Sequence, residues 1–172
     1  MKILLLGYMG SGKSTVGQRL AKVLGIPFYD LDAEIEKETK KTILEIFQTK
    51  GEIFFRKTEF EVLWKLLQSE NSYILALGGG TPCYGNIMQV VKNHNDVTTV
   101  FLNTSIPELT ERLFPERGKR PLIAHLETKE VLNDFIRKHI FERNYYYNQA
   151  HMKIQADVPV NKIVSDIVVQ LF

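Results

Sequence analysis

A chain of 172 residues, 44% hydrophobic and 24% charged, has the size and make-up of one domain able to bury a full core. Its formal net charge of +2, with no long block of like charge, argues against a nucleic-acid partner and makes any basic site local. The single cysteine, Cys83, excludes a disulfide framework and a cysteine zinc site, and no apolar run approaches a signal-peptide core or a membrane span, so a cytoplasmic protein with no membrane partner is expected. Cys83 itself reads as a small core residue.

In chain order, a near-continuous apolar run over 2–6 reads as a strand buried on both faces. Residues 15–24 follow as an amphipathic helix, with Val16, Leu20, Val23 and Leu24 at helical spacing and Gly25 ending it. Further strands are expected over 26–31, 72–77, 96–102 and 152–156. Thr42-Ile-Leu-Glu45 and Ser105-Ile-Pro-Glu108 have the form of capping boxes that open helices, and more helices are expected over 52–68, 86–92, 128–150 and 160–171. The alternation of strand and helix implies an α/β domain built on a parallel sheet with right-handed crossovers. The segment 114–125, "FPERGKRPLIAH", holds two prolines, a glycine and several basic groups, and reads as a mobile loop.

Between the first strand and first helix lies Gly7-Tyr-Met-Gly-Ser-Gly-Lys-Ser14, which fits the phosphate-binding pattern G-x4-G-K-[ST]. Glycines let the backbone fold so that successive N–H groups face phosphate oxygens, and the helix N-terminus adds its positive dipole end. Gly10, Ser11, Gly12, Lys13, Ser14 and Thr15 are the expected nucleotide cradle, with Lys13 on the β- and γ-phosphates and the Ser14 hydroxyl on Mg²⁺.

"YDLD" ends the second strand run, and its period of two would turn Asp30 and Asp32 to one face, beyond the carboxyl end of the sheet where the phosphate loop also lies. One carboxylate then suits Mg²⁺ beside Ser14, directly or through water, and the other can orient an acceptor hydroxyl and take its proton. Asp32 could also cap the following helix. Gly78, Gly79 and Gly80 permit close backbone approach to a ligand, although a plain loop would explain them too. Arg56 lies near an apolar helix stripe, and His139, Arg143 and Tyr147 share a helix face. Two arginines and an aspartate would suit a small ligand carrying a carboxylate and hydroxyls.

Taken together and in order, "GYMGSGKSTVG", "FYDLDAEIE", "GEIFFRKTE", "LGGG", "RPLI" and "ERNYYYNQA" resemble shikimate kinase across essentially the whole chain. The resemblance implies a three-layer α/β/α nucleoside-monophosphate-kinase-like fold whose five-stranded parallel sheet runs in the order 2-3-1-4-5. It implies transfer of the ATP γ-phosphoryl to the 3-hydroxyl of shikimate, giving shikimate 3-phosphate in the route to chorismate and aromatic amino acids. It also implies Mg²⁺ as cofactor, a monomer, and the stretch 114–125 as a lid. By the same resemblance Asp32 holds the hydroxyls and is the candidate base, Arg56 and Arg143 grip the carboxylate, and Gly79 contacts substrate through its backbone. Asp30 supports Mg²⁺, Arg120 reaches the phosphates from the lid, and Arg112 lies near adenine. The chain departs from the family where glutamate is frequent, at Gln149, and where a basic residue often follows the last strand, at 155–158. Tyr145 and Tyr147 read as packing or surface residues. The competing readings are a gluconate-type or other small-metabolite kinase of the same fold, and an inactive homologue that senses ligand.

Overall fold

The computed structural model describes residues 1–172. Five strands, β1 (Lys2–Leu6), β2 (Phe28–Asp30), β3 (Tyr73–Ala76), β4 (Val97–Asn103) and β5 (Met152–Gln155), form one parallel sheet in the order β2-β3-β1-β4-β5. β1 lies at its centre. Because strand side chains alternate, Leu4 and Leu6 enter one apolar layer and Ile3 and Leu5 the other, and every residue of β1 is buried.

The first layer is covered by α2 (Leu31–Thr39), α3 (Ile43–Leu67) and α4 (Ile87–Lys92), through Leu31, Ile35, Leu63 and Met88. The opposite layer is covered by α1 (Lys13–Leu24) and α7 (Val160–Leu171), through Val16, Leu20, Ile163 and Ile167. A third cluster joins α5 (Ile106–Leu113) and α6 (Lys129–Tyr147) to the segment between them, where Ile123 is fully buried. Helices on both faces of the sheet give the three layers expected of an α/β/α domain.

Several expectations are refined. The expected helices at Thr42 and over 52–68 are one element bent at Gly51, whose φ of +81° and ψ of 177° is open to glycine and strained for other residues. Thr42 and Glu45 make the complete capping box: the Thr42 hydroxyl accepts from the Glu45 N–H, and the Glu45 carboxylate accepts from the Thr42 N–H at 2.7 Å. The second strand is only three residues long, because the helix after it starts at Leu31. Helix α6 stops at Tyr147, before residue 150, and within 114–125 a short 3₁₀ turn spans Arg117–Lys119. Cys83 lies in another 3₁₀ turn, Thr81–Cys83, and is only partly buried; burial raises its thiol pKa.

Candidate active site

The loop after β1 makes its turn through glycines in positive φ, Gly10 at +79° and Gly12 at +90°, and delivers Lys13 to the first position of α1. With a side chain at Gly12 the left-handed turn into the helix would be strained, and the N–H groups of the first turn would not face one point. Lys13 folds back over the loop, its Nζ donating to the carbonyls of Gly7 at 2.7 Å and Tyr8 at 3.0 Å. Burial lowers its pKa to about 8, against the pull of Asp30 and Asp32. A cleft of about 660 Å³ opens over this loop and is lined by Gly10 to Val16, Asp30, Asp32, Gly78, Gly79, Arg112 and Arg120.

Asp30 and Asp32 both reach the cleft, but not by strand period. Asp30 is the N-cap of α2, its Oδ1 accepting from the backbone N–H of Asp32 at 3.1 Å and, more weakly, of Ala33 at 3.5 Å. The cap is therefore Asp30, and Asp32, in the first helical turn, is free of that duty. The other oxygen of Asp30 accepts from the Ser14 hydroxyl at 3.3 Å. These two hard oxygens at the mouth of the phosphate loop fit a Mg²⁺ ion that keeps most of its shell as water and phosphate. No three acidic, histidine or cysteine side chains gather into a fuller metal cage in this chain.

The Asp32 side chain accepts no hydrogen bond from the protein. Its Oδ1 lies 3.4 Å from where a Cβ at Gly78 would stand, so the glycine leaves the carboxylate room. Burial, then the nearby negative charges of Asp30 and Glu59, push its pKa up to about 6, with Lys13 pulling the other way. The result is a carboxylate poised near neutral pH, a condition suited to proton acceptance.

The glycine loop after β3 carries the third wall. A Cβ on Gly80 would stand 3.0 Å from Arg56 Nη2, and one on Gly79 would stand 3.5 Å from Arg143 Nη1, so the absence of side chains lets two guanidinium groups close on this loop. Arg56 is held in turn by Glu59, at 2.9 Å, and lies with its guanidinium carbon 3.7 Å from the centre of the Tyr84 ring. Its Nε is buried without a hydrogen-bond partner, with Glu52 Oε1 3.6 Å away as an ionic neighbour. Glu59, 1% exposed, also accepts from Thr81 Oγ1 at 2.6 Å, which fixes the pair against the glycine loop. Arg143 sits over the Tyr8 ring at 5.6 Å, and Tyr8 in turn pairs with His139 Nδ1 at 3.0 Å. Burial and the Arg143 charge depress the His139 pKa.

Arg112 ties the phosphate loop to the far side of the domain, donating to Glu108 at 2.8 Å and to the carbonyls of Gly10 at 3.2 Å and Ala156 at 3.1 Å. It borders the cleft alongside Val158 and Val160, the expected side for a nucleobase. Arg120 lines the cleft from the 114–125 segment, its Nη2 donating to Glu116 at 3.3 Å. Arg117 turns instead to the Phe114 ring and carbonyl.

The cleft thus gathers the phosphate loop, both aspartates, Gly78, Gly79, Arg112 and Arg120, while Arg56, Gly80 and Arg143 close its glycine-loop edge. Glu59, Thr81 and Tyr84 go unnoticed in the sequence. The first had a signal, its three-residue spacing from Arg56 on one helix. Thr81 and Tyr84 had none, since they meet Glu59 and Arg56 only through the fold. Tyr147 is buried, as a packing residue would be, and goes beyond that reading in one respect: its hydroxyl donates to the Gly79 carbonyl at 2.6 Å. Tyr145 is exposed as expected.

Comparison with known proteins gives one consistent result. The family model described as shikimate kinase matches residues 9–172. The shikimate kinase of Flavobacterium johnsoniae is 48% identical over 167 residues, covering 96% of each chain. Among solved structures, shikimate kinase from Bacteroides thetaiotaomicron superposes with a TM-score of 0.91 at 34% identity, covering 99% of this chain and 98% of that one. Shikimate kinase from Acinetobacter baumannii in complex with shikimate gives 0.83 at 33% identity, covering 99% and 91%. A gluconokinase from Sinorhizobium meliloti shares only the fold, at 18% identity and a TM-score of 0.57 over 99% of this chain and 90% of its own.

Proposed function

The chain belongs to the shikimate kinase family, and from that premise we propose how its residues carry out ATP-dependent phosphorylation of shikimate. The observation that carries the reading is Asp32, a carboxylate without a protein donor and with its pKa at about 6, between the phosphate loop and the glycine loop.

ATP lies along the cleft with its phosphates on the N–H groups of Gly10 to Thr15 and its base toward Arg112. The shikimate carboxylate lies against Arg56 and Arg143 at the glycine loop, where guanidinium forks match its two oxygens. This leaves the ring hydroxyls toward Asp32. As the acceptor oxygen bonds to the γ-phosphorus and the bond to the β-phosphate oxygen breaks, the hydroxyl proton passes to Asp32. Lys13 and Arg120 balance charge gathering on the transferred group and the departing ADP. Mg²⁺ held by Ser14 and Asp30 would neutralise phosphate charge when bound. The stretch 114–125 acts as a lid within a single domain, and its closure keeps water from competing with shikimate for the phosphoryl group. The small net charge supports small-molecule substrates over nucleic acid, and the single cysteine suits a reducing cytoplasm, where the protein acts as a monomer without a membrane partner under this proposal. No helix is long and apolar enough to cross a membrane.

Arg143→Ala tests the carboxylate assignment. The expected result is a rise in KM for shikimate of at least tenfold with the KM for ATP little changed. A variant that loses ATP affinity in equal measure would remove Arg143 from that role.

A further inference from the structure

The glycine loop has three backbone donors to spare, the N–H groups of Gly78, Gly79 and Gly80. None of them donates to any protein group, whereas the residues after them are tied down: Thr81 N–H donates to Gly78 at 3.1 Å and Cys83 N–H to Gly80 at 2.9 Å. The peptide between Gly79 and Gly80 has one anchor, the Tyr147 hydroxyl on its carbonyl at 2.6 Å. That tyrosine is 1% exposed and packs on Phe101 of β4 with ring centres 5.1 Å apart, so its hydroxyl is held by the sheet itself.

A peptide group is planar, and its C=O and N–H point in opposite directions. Pinning the Gly79 carbonyl on Tyr147 therefore turns the Gly80 N–H the other way, in a loop where no side chain limits the backbone. Tyr147 stands four residues beyond Arg143 and so on the same face of α6. One helix thus supplies both a guanidinium at the glycine loop and the peg that orients the loop's peptide beside it.

We propose that Tyr147 is a positioning residue for the acceptor: by holding the Gly79–Gly80 peptide in one orientation relative to Arg143, it presets the Gly80 N–H as a backbone donor for the shikimate carboxylate. The inference rests on the reading of this loop as the acceptor site. Burial raises the phenol pKa well above its ordinary value, so the group remains a neutral donor throughout the working range of pH.

Tyr147→Phe deletes one oxygen and leaves the ring on Phe101. The expected result is a KM for shikimate raised on the order of fivefold, the effect of losing one neutral hydrogen bond, with the KM for ATP unchanged. Tyr145→Phe, altering an exposed ring, leaves both unchanged. An unaltered shikimate KM in Tyr147→Phe, or equal losses for both substrates, overturns the proposal. A second readout needs no variant: the Tyr147 hydroxyl proton, shielded and bonded to Gly79, gives a slowly exchanging NMR signal that moves on adding shikimate and stays with Mg-ADP. A signal indifferent to shikimate overturns the proposal equally. Absence of shikimate turnover in the unaltered protein would instead sink the acceptor assignment on which it stands.

Discussion

Asp32→Asn separates what this carboxylate does for catalysis from what it does to stability, and the two effects have opposite signs. The Asp32 pKa rises from 3.8 to about 6 on folding, so above pH 6 the folded protein carries a charge that its surroundings disfavour. At 1.36 kcal/mol per pKa unit this destabilises the native state by roughly 3 kcal/mol, or about 2–3 kcal/mol allowing for the partial exposure of the side chain. The penalty is whole above the folded pKa. It falls as pH drops below 6 and vanishes below the unfolded value near 4, where the group is neutral in both states. Asparagine removes the charge without breaking a side-chain hydrogen bond, because Asp32 accepts none from the protein. Thermal unfolding of the ligand-free protein at pH 8 is therefore expected to show the variant about 4–12 °C more stable. At pH 4.5 the free-energy gain shrinks to about a third. Turnover at pH 8 is expected to fall by a factor on the order of 10² to 10⁴, the usual weight of a general base. A variant less stable than the native protein at every pH would refute the burial-and-repulsion account of Asp32. Unchanged turnover would refute its role as base.

Two further outcomes follow from the same chemistry. The pH profile of kcat/KM is expected to be bell-shaped, rising through about 6 as Asp32 ionises and falling through about 8 as Lys13 loses the proton that faces the phosphates. A flat profile from pH 5 to 9 would contradict both assignments. Thr42→Ala removes the hydroxyl that caps α3 and is expected to lower stability by about 1 kcal/mol, roughly 2–4 °C in Tm, with kcat and both KM values intact, because the box at Thr42 and Glu45 caps a helix and takes no part in the cleft. Urea denaturation together with steady-state kinetics checks both halves of that statement.

Most of the architecture was legible because it rests on signals local in the chain. The buried strands read as apolar runs, Thr42 and Ser105 mark helix starts through side chains that reach only three residues, and the phosphate loop needs its glycines and lysine at fixed spacing. The cap at Asp30 was harder, since "YDLD" suits either aspartate until the start of α2 is known. Once the helix begins at Leu31, Asp30 takes the free N–H groups and Asp32 is released toward the glycine loop. What the spacing could not carry was the support behind the arginines. Thr81 lies 22 residues from Glu59, and Tyr147 lies 68 from Gly79, and neither pairing leaves a periodic trace. Tyr147 in particular is indistinguishable from its exposed neighbour Tyr145 until the register of α6 against β4 is known.

The acceptor is shikimate. The direct test is ADP release from purified protein with Mg-ATP and, in parallel, shikimate, gluconate, a nucleoside monophosphate or no acceptor, with the product mass determined. Turnover confined to shikimate, with the product heavier by one phosphoryl group, is the predicted result. Equal ADP release without acceptor, or turnover on gluconate in place of shikimate, would contradict it.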